Sequence, residues 1–158
     1  MATRSNVIVK VKKEDIGRVL THEFKGKTYE TKIEKPYIGI YCHWDGYTDG
    51  VGKELVENYN DYEKALQLIS GGYTSSIDGD DVNYYMGWDR EELWTDNHPR
   101  QTEKTEITAA WTEYAYIFDN GKWYVGIVNW DKDDNEAIED VVELTEDVIK
   151  NGHPKQRD

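Results

Sequence analysis

The segment that most narrows the fold runs Tyr114-Ala115-Tyr116-Ile117-Phe118, then Asp119-Asn120-Gly121-Lys122, then Trp123-Tyr124-Val125-Gly126-Ile127-Val128. Asn-Gly readily supplies the two successive positive φ angles of a type I′ turn, the turn whose twist matches paired strands. Alternation on either side sets Tyr114, Tyr116 and Phe118 on one face of the first strand, and Trp123, Val125 and Ile127 on one face of the second. The spacing predicts an antiparallel hairpin from Glu106 to Val128 held by cross-strand aromatic pairs. Trp111 and Trp123 both read as its core.

Other segments extend the pattern. Val7, Val9 and Val11 alternate through Ser5 to Lys12, and Ile8 gives the opposite face an apolar residue. Val19 to Glu34 reads as a hairpin around Gly26, and Tyr37 to His43 as a further strand, which together suggest an antiparallel meander. The period then changes. Val51, Leu55, Val56 and Tyr59 recur at helical spacing, as do Tyr62, Ala65, Leu66 and Ile69 in a second helix, with Asn60 and Glu63 at capping-box distance and Gly71-Gly72 as the stop. Val82 to Met86 reads as a short strand and Asp89 to Trp94 as one helical turn. From Glu136 the set Ile138, Val141, Val142, Thr145, Val148 and Ile149 predicts a C-terminal helix, although Val141-Val142 can equally open a strand. Strand signals that come as hairpins, with no recurring strand-helix-strand series, define an α+β class. The expectation is a single domain over residues 1–158: an antiparallel sheet of hairpins, two short central helices and a C-terminal helix.

Charge limits what such a domain can bind. The chain of 158 residues has a net charge of -13, yet its first 35 residues carry 9 Lys and Arg against 5 Asp and Glu. Two acidic runs stand out: Asp78 to Asp96 with 7 acids, and Asp131 to Asp147 with 9. A phosphate backbone is normally met by Lys and Arg, so direct nucleic-acid binding by these runs is disfavoured, and a basic protein is the suspected partner. No apolar run reaches membrane-spanning length, and a secretion leader is not expected after Met1-Ala2-Thr3-Arg4-Ser5, which makes the cytoplasm of a bacterial host cell the default location.

Two groups of residues are candidates for function. The first is the loop His43-Trp44-Asp45-Gly46-Tyr47-Thr48-Asp49-Gly50 between a strand and a helix. There His43 can act as a proton shuttle oriented by Asp45 or Asp49, with Tyr41 and Tyr47 beside a ligand. Its competing reading is structural: a glycine-relieved turn in which Asp45 or Asp49 caps the next helix and Trp44 plugs the core edge. Ligand-binding candidates are thus His43, Trp44, Asp45, Tyr47 and Asp49. The second group sets tryptophans among acids: Trp88, Trp94 and Trp130 with Asp78, Asp80, Asp81, Asp131, Asp133 and Asp134. Aromatic anchors ringed by charge suit a protein-recognition surface. Homo-oligomerisation through the aromatic hairpin is a further expectation.

Enzyme and cofactor motifs are not apparent. Gly46, Gly50 and Gly52 lack the Lys-Ser/Thr ending of a P-loop, the acidic loops lack calcium-loop spacing, and one cysteine with four scattered histidines gives no zinc pattern. No catalytic residue, metal or cofactor is assigned.

The opening Met1-Ala2-Thr3-Arg4-Ser5, together with Tyr41-Cys42-His43-Trp44-Asp45-Gly46-Tyr47, Val51-Gly52 and the helix through Leu55, resembles a family of small uncharacterised bacteriophage and prophage proteins. Its typical members run directly from the opening strand into the motif, whereas this chain inserts a hairpin. The resemblance implies a phage or prophage origin and brings no activity with it. The leading expectation is therefore a non-enzymatic acidic protein that inhibits a host-defence or nucleic-acid-handling protein by negative-surface mimicry. The alternative is a small-ligand or nucleotide-binding protein, with hydrolysis as an option, centred on the His43–Tyr47 loop.

Overall fold

The computed structural model describes residues 3–85 and 92–157. Strand β1 (Ser5–Lys10) has Val7 and Val9 on one face and Asn6 and Ile8 on the other, all fully buried. Burial on both faces makes it a central strand. β2 (Val19–Phe24) and β3 (Lys27–Lys32) form a separate two-stranded sheet around the Lys25-Gly26 turn. β4 (Tyr37–Cys42) follows, and a π-type turn over Thr48–Gly52 leads into α1 (Lys53–Asn58) and α2 (Tyr62–Ser70). Asp61 rather than Asn60 caps α2, its carboxylate accepting the Lys64 N–H at 2.9 Å. β5 (Thr74–Asp78), β6 (Asp81–Tyr84), α3 (Glu92–Asn97) and β7 (Arg100–Thr102) complete the middle third.

The expected aromatic hairpin is present as β8 (Tyr114–Asp119) and β9 (Lys122–Val128), with Asn120 and Gly121 at φ 51° and 85°. Its first strand is shorter than the sequence suggests, because residues 103–112 leave the sheet and cross over one face. The apolar set after Glu136 divides in two: β10 (Ile138–Glu143) pairs with β9, and only α4 (Glu146–Asn151) is helical, capped by Thr145. Pairing with β9 takes Val142 into a strand, and the Thr145 cap starts the helix two residues after that strand ends.

Among the described residues the main sheet has eight strands in the order β10-β9-β8-β1-β4-β5-β6, with β7 also paired to β4. The domain is α+β, as expected, but its sheet is mixed. β1 pairs antiparallel with β4 and parallel with β8, and β4 meets β5 in parallel at Cys42 and Thr74. A meander fails because β2 and β3 pair only with each other, so β1 skips past them to β4.

The two faces of this sheet are covered differently. On the first, Val7, Val9, Ile38, Ile40, Tyr116, Phe118, Trp123 and Val125 pack with Leu55, Leu66 and Ile69 of the helices. On the second, a smaller cluster of Ile8, Ala115, Ile117, Val128 and Ala137 lies with Tyr37, Ile107, Tyr124 and Ile138. The strap 103–112 closes that face, and Asn6 holds it. Asn6 Oδ1 accepts the Thr108 and Ala109 N–H groups, each at 2.9 Å, and its Nδ2 donates to Thr112 Oγ1. Gly39 makes the close crossing feasible, since a Cβ there would lie 2.9 Å from the Thr108 side chain.

Candidate functional site

The N-terminal end of β1, the C-terminal end of β4 and the N-terminal end of β8 meet at one end of the sheet, with Ser5 opposite both Cys42 and Tyr114. Thr3–Ser5 and Tyr41–Tyr47, far apart in sequence, are therefore neighbours. Gly46 seals the contact: its N–H donates to Thr3 O at 2.9 Å, and its carbonyl accepts the Tyr116 hydroxyl at 2.6 Å. A Cβ on Gly46 would lie 2.7 Å from Thr3 O.

Strand alternation then sorts the side chains. Cys42 points into the helix-covered core, where burial pushes its thiol pKa up to about 11, so it has no nucleophilic character at neutral pH. Tyr41 faces the strap side, and its hydroxyl is hydrogen-bonded to His43 Nδ1 at 2.6 Å. Among the described residues the His43 ring bonds Tyr41 and neither Asp45 nor Asp49. The Asp45 carboxylate is exposed and its residue adopts φ 57°. No side chain caps the turn at Thr48 or α1; the Asp45 carbonyl instead accepts Val51 N–H at 2.7 Å. Trp44, at 47% exposure, does not plug the core, and Tyr47 is half exposed. Backbone hydrogen bonds therefore define this loop; Trp44, Asp45, Tyr47 and Asp49 are exposed, while Thr48 is buried and donates to Ile149 O at 3.3 Å.

The concavity lies next to that loop. A cavity of about 760 Å³ opens beside the strap, lined by Arg4, Tyr41, Tyr73, Tyr85, Trp111 and Trp130 among others. Sheet order distributes the walls. Arg4 immediately precedes the central strand β1; Tyr41 and Tyr73 come from the β4–β5 side, and Trp111 and Trp130 from the β8–β9 side. The tyrosines form a contiguous set, Tyr41 lying 5.8 Å from Tyr73 and stacked on Tyr85 at 6.4 Å between ring centres. Burial raises the pKa of Tyr41, Tyr73 and Tyr85, the last to about 12, so all three remain neutral phenols. The Tyr73 hydroxyl donates to Thr108 O at 2.6 Å and ties the tyrosine wall to the strap.

Trp111 and Trp130 meet edge to face at 5.5 Å. Sequence alternation suggests a core position for Trp111, yet it is 66% exposed and adopts φ 64°, because the strap turns there before entering β8. Trp130 is 51% exposed, with its indole N–H donated to Thr112 O. Arg4 is the one cation among the described residues lining the cavity, and its guanidinium lies against the Tyr41 hydroxyl. The Glu113 carboxylate is engaged by the Arg4 backbone N–H at 2.6 Å.

The two acidic groups separate. Asp78, Asp80 and Asp81 belong to the β5–β6 hairpin, whereas Asp131, Asp133 and Asp134 lie in the β9–β10 loop at the other edge. Six strand intervals between β6 and β10 amount to about 29 Å, so these residues do not make one patch. Trp130 and its acidic loop are adjacent, and all three carboxylates there are exposed. Trp94 is half-buried against Tyr29 at 5.0 Å and packs the β2–β3 hairpin instead of standing among acids as an anchor. Trp88 lies outside the described residues.

Arg4, Tyr73 and Thr108 carry no local sequence signal for this cleft; only the place of Arg4 in Thr3-Arg4-Ser5 connects it to the Tyr41–Tyr47 motif. Among the described residues no group of His, Cys, Asp and Glu is arranged to hold a metal ion, and no helix is long and apolar enough to cross a membrane. Fold and cavity together define an α+β domain with an aromatic cleft at one end of its sheet. No family model, curated protein or solved structure matches the chain.

Proposed function

We propose that the chain is a non-enzymatic binding protein and that the Arg4–Tyr41 cleft is where it binds a small planar ligand. The observation that carries this reading is the convergence of three tyrosines, two tryptophans and one arginine on a single cavity of about 760 Å³. That volume falls within the range usual for small-molecule sites, and ring faces with a few polar groups are the usual lining. His43, whose Nδ1 is bonded to Tyr41, supports the floor of the cleft and is a positioning residue. The test is a tryptophan fluorescence titration with planar ligands, comparing the parent chain with Trp111→Ala. Saturable quenching that weakens at least tenfold in the variant is the expected result; identical titrations would reject the cleft.

A second reading is favoured by one observation, the exposed Trp130 directly before the exposed carboxylates Asp131, Asp133 and Asp134. An aromatic anchor with acids around it suits a basic protein, including the Lys- and Arg-lined clefts of nucleic-acid-handling or host-defence proteins. In this reading the protein is an acidic inhibitor, of phage origin and acting in the bacterial cytoplasm. Its binding weakens steeply with salt. Replacing Asp131, Asp133 and Asp134 together by Asn should abolish low-salt capture of such a partner; unchanged capture would remove the loop from consideration.

A further inference from the structure

We infer that the ligand of the cleft is a nucleoside monophosphate, its base stacked on the aromatic walls and its single phosphate on Arg4. This rests on the small-ligand reading and specifies its chemistry. Three features argue for it.

The first is the arrangement of ring faces. Tyrosines from the β4–β5 side and tryptophans from the β8–β9 side flank Arg4, so a flat ring entering the cleft has aromatic surface available on either side of the cation. Base-on-aromatic stacking contributes about 1–3 kcal/mol per base. The second is the charge. Among the described residues Arg4 has no carboxylate within 4 Å of its guanidinium, and the neighbouring Glu113 carboxylate accepts the Arg4 backbone N–H. Arg100, over the Tyr73 ring at 5.3 Å, directs its guanidinium to the His98 and Asp96 carbonyls. The Arg4 guanidinium, bonded to the neutral Tyr41 hydroxyl, keeps a charge that no carboxylate of the described residues offsets, and its remaining donors match one phosphate. The chain's net charge of -13 works against any further phosphate, which selects a monophosphate over di- or triphosphates and over a nucleic-acid strand.

The third feature is room. At about 760 Å³ the cleft exceeds what a single aromatic ring fills, which leaves room for a sugar between base and phosphate. Trp111 is largely exposed, so its ring is within reach of an entering base, and φ 64° is a conformation that a bulky residue keeps only where the surroundings impose it.

The test is isothermal titration calorimetry on the full chain with AMP, adenosine and ATP. AMP is expected to saturate one site, with adenosine and ATP each at least tenfold weaker. Arg4→Gln should reduce AMP affinity about 10- to 100-fold, to the level of adenosine, and leave adenosine unchanged. Arg4→Lys should lie between, since it keeps the charge and loses the fork. Trp111→Ala should weaken both ligands. Circular dichroism and melting of each variant identify any that fail to fold, and Arg4→Lys then replaces Arg4→Gln as the deciding comparison. Equal binding of AMP and adenosine, or AMP affinity indifferent to Arg4, would overturn the inference. If AMP fails at millimolar concentration while indole-3-acetate or benzoate binds through Arg4, the inference falls and the small-ligand reading stands. If none of them binds, both fall.

Discussion

The helix-covered and strap-covered faces of the sheet are built from the same strands, and they are held by different forces. On the helix side Val7, Val9, Ile40, Phe118 and Trp123 pack on Leu55, Leu66 and Ile69, and hydrocarbon burial supplies the cohesion. On the strap side the apolar cluster is small, and one buried amide, Asn6, fixes residues 108–112 through hydrogen bonds. Burial without direction makes the first face a platform. Directional bonds let the second hold a short loop open enough to leave a cleft beside it.

This contrast predicts unequal responses to mutation. The largest loss should come from Trp123→Ala, because Trp123 is 2% exposed, packs on Phe118 at 5.2 Å and donates its indole N–H to Tyr59 O. Urea denaturation should show a cost of about 3–5 kcal/mol, spread over the whole domain. Asn6→Ala comes next, at about 2–4 kcal/mol, since it leaves the Thr108 and Ala109 N–H groups without their acceptor. A comparable cost for two such different residues is consistent with the contrast; a neutral Asn6→Ala would break it. Trp111→Gly should change stability by less than about 1 kcal/mol, as it removes an exposed ring and relieves a positive φ. Its effect should fall on ligand binding alone.

The smallest effect concerns pH and belongs to the small β2–β3 sheet, which packs on α2. Burial lowers the pKa of His22, which lies edge to face with Tyr84 at 4.8 Å. The unfolded chain takes up that proton near pH 6.5, whereas the folded chain does so only at lower pH. The unfolded state therefore binds more protons in that window, and stability is lost as pH falls through it. The melting temperature should drop between pH 7.5 and 5.5, and His22→Gln should show a smaller drop. An identical drop in the variant would move the cause elsewhere.

Much of the fold was legible because its signals are local. Asn120-Gly121 announces its turn, the Gly26 hairpin is a matter of adjacent residues, and the helices around Leu55 and Leu66 show their periods. The pairing of β1 with β4 and β8 was not legible, since nothing near Val7 encodes a partner 30 or 100 residues away. Val141 and Val142 fit both a strand and a helix, and pairing with β9 decided between them. Beside the loop from His43 to Asp49, Tyr41, which the sequence already sets next to a ligand, lines the cavity, and His43 two residues on reaches it only through the Tyr41 hydroxyl. Arg4 was hidden by standing alone near the start of the chain, and Asn6 because an asparagine in an apolar strand carries no sign of a strap 102 residues further on.

If polar pinning of the strap by Asn6 creates the cleft, hydrogen exchange with mass spectrometry should distinguish the parent chain from Asn6→Ala on the strap alone. The prediction is faster exchange confined to peptides covering residues 104–112, with α2 and β9 protected as before. Exchange that rises equally on both faces, or stays slow over the strap, would contradict it.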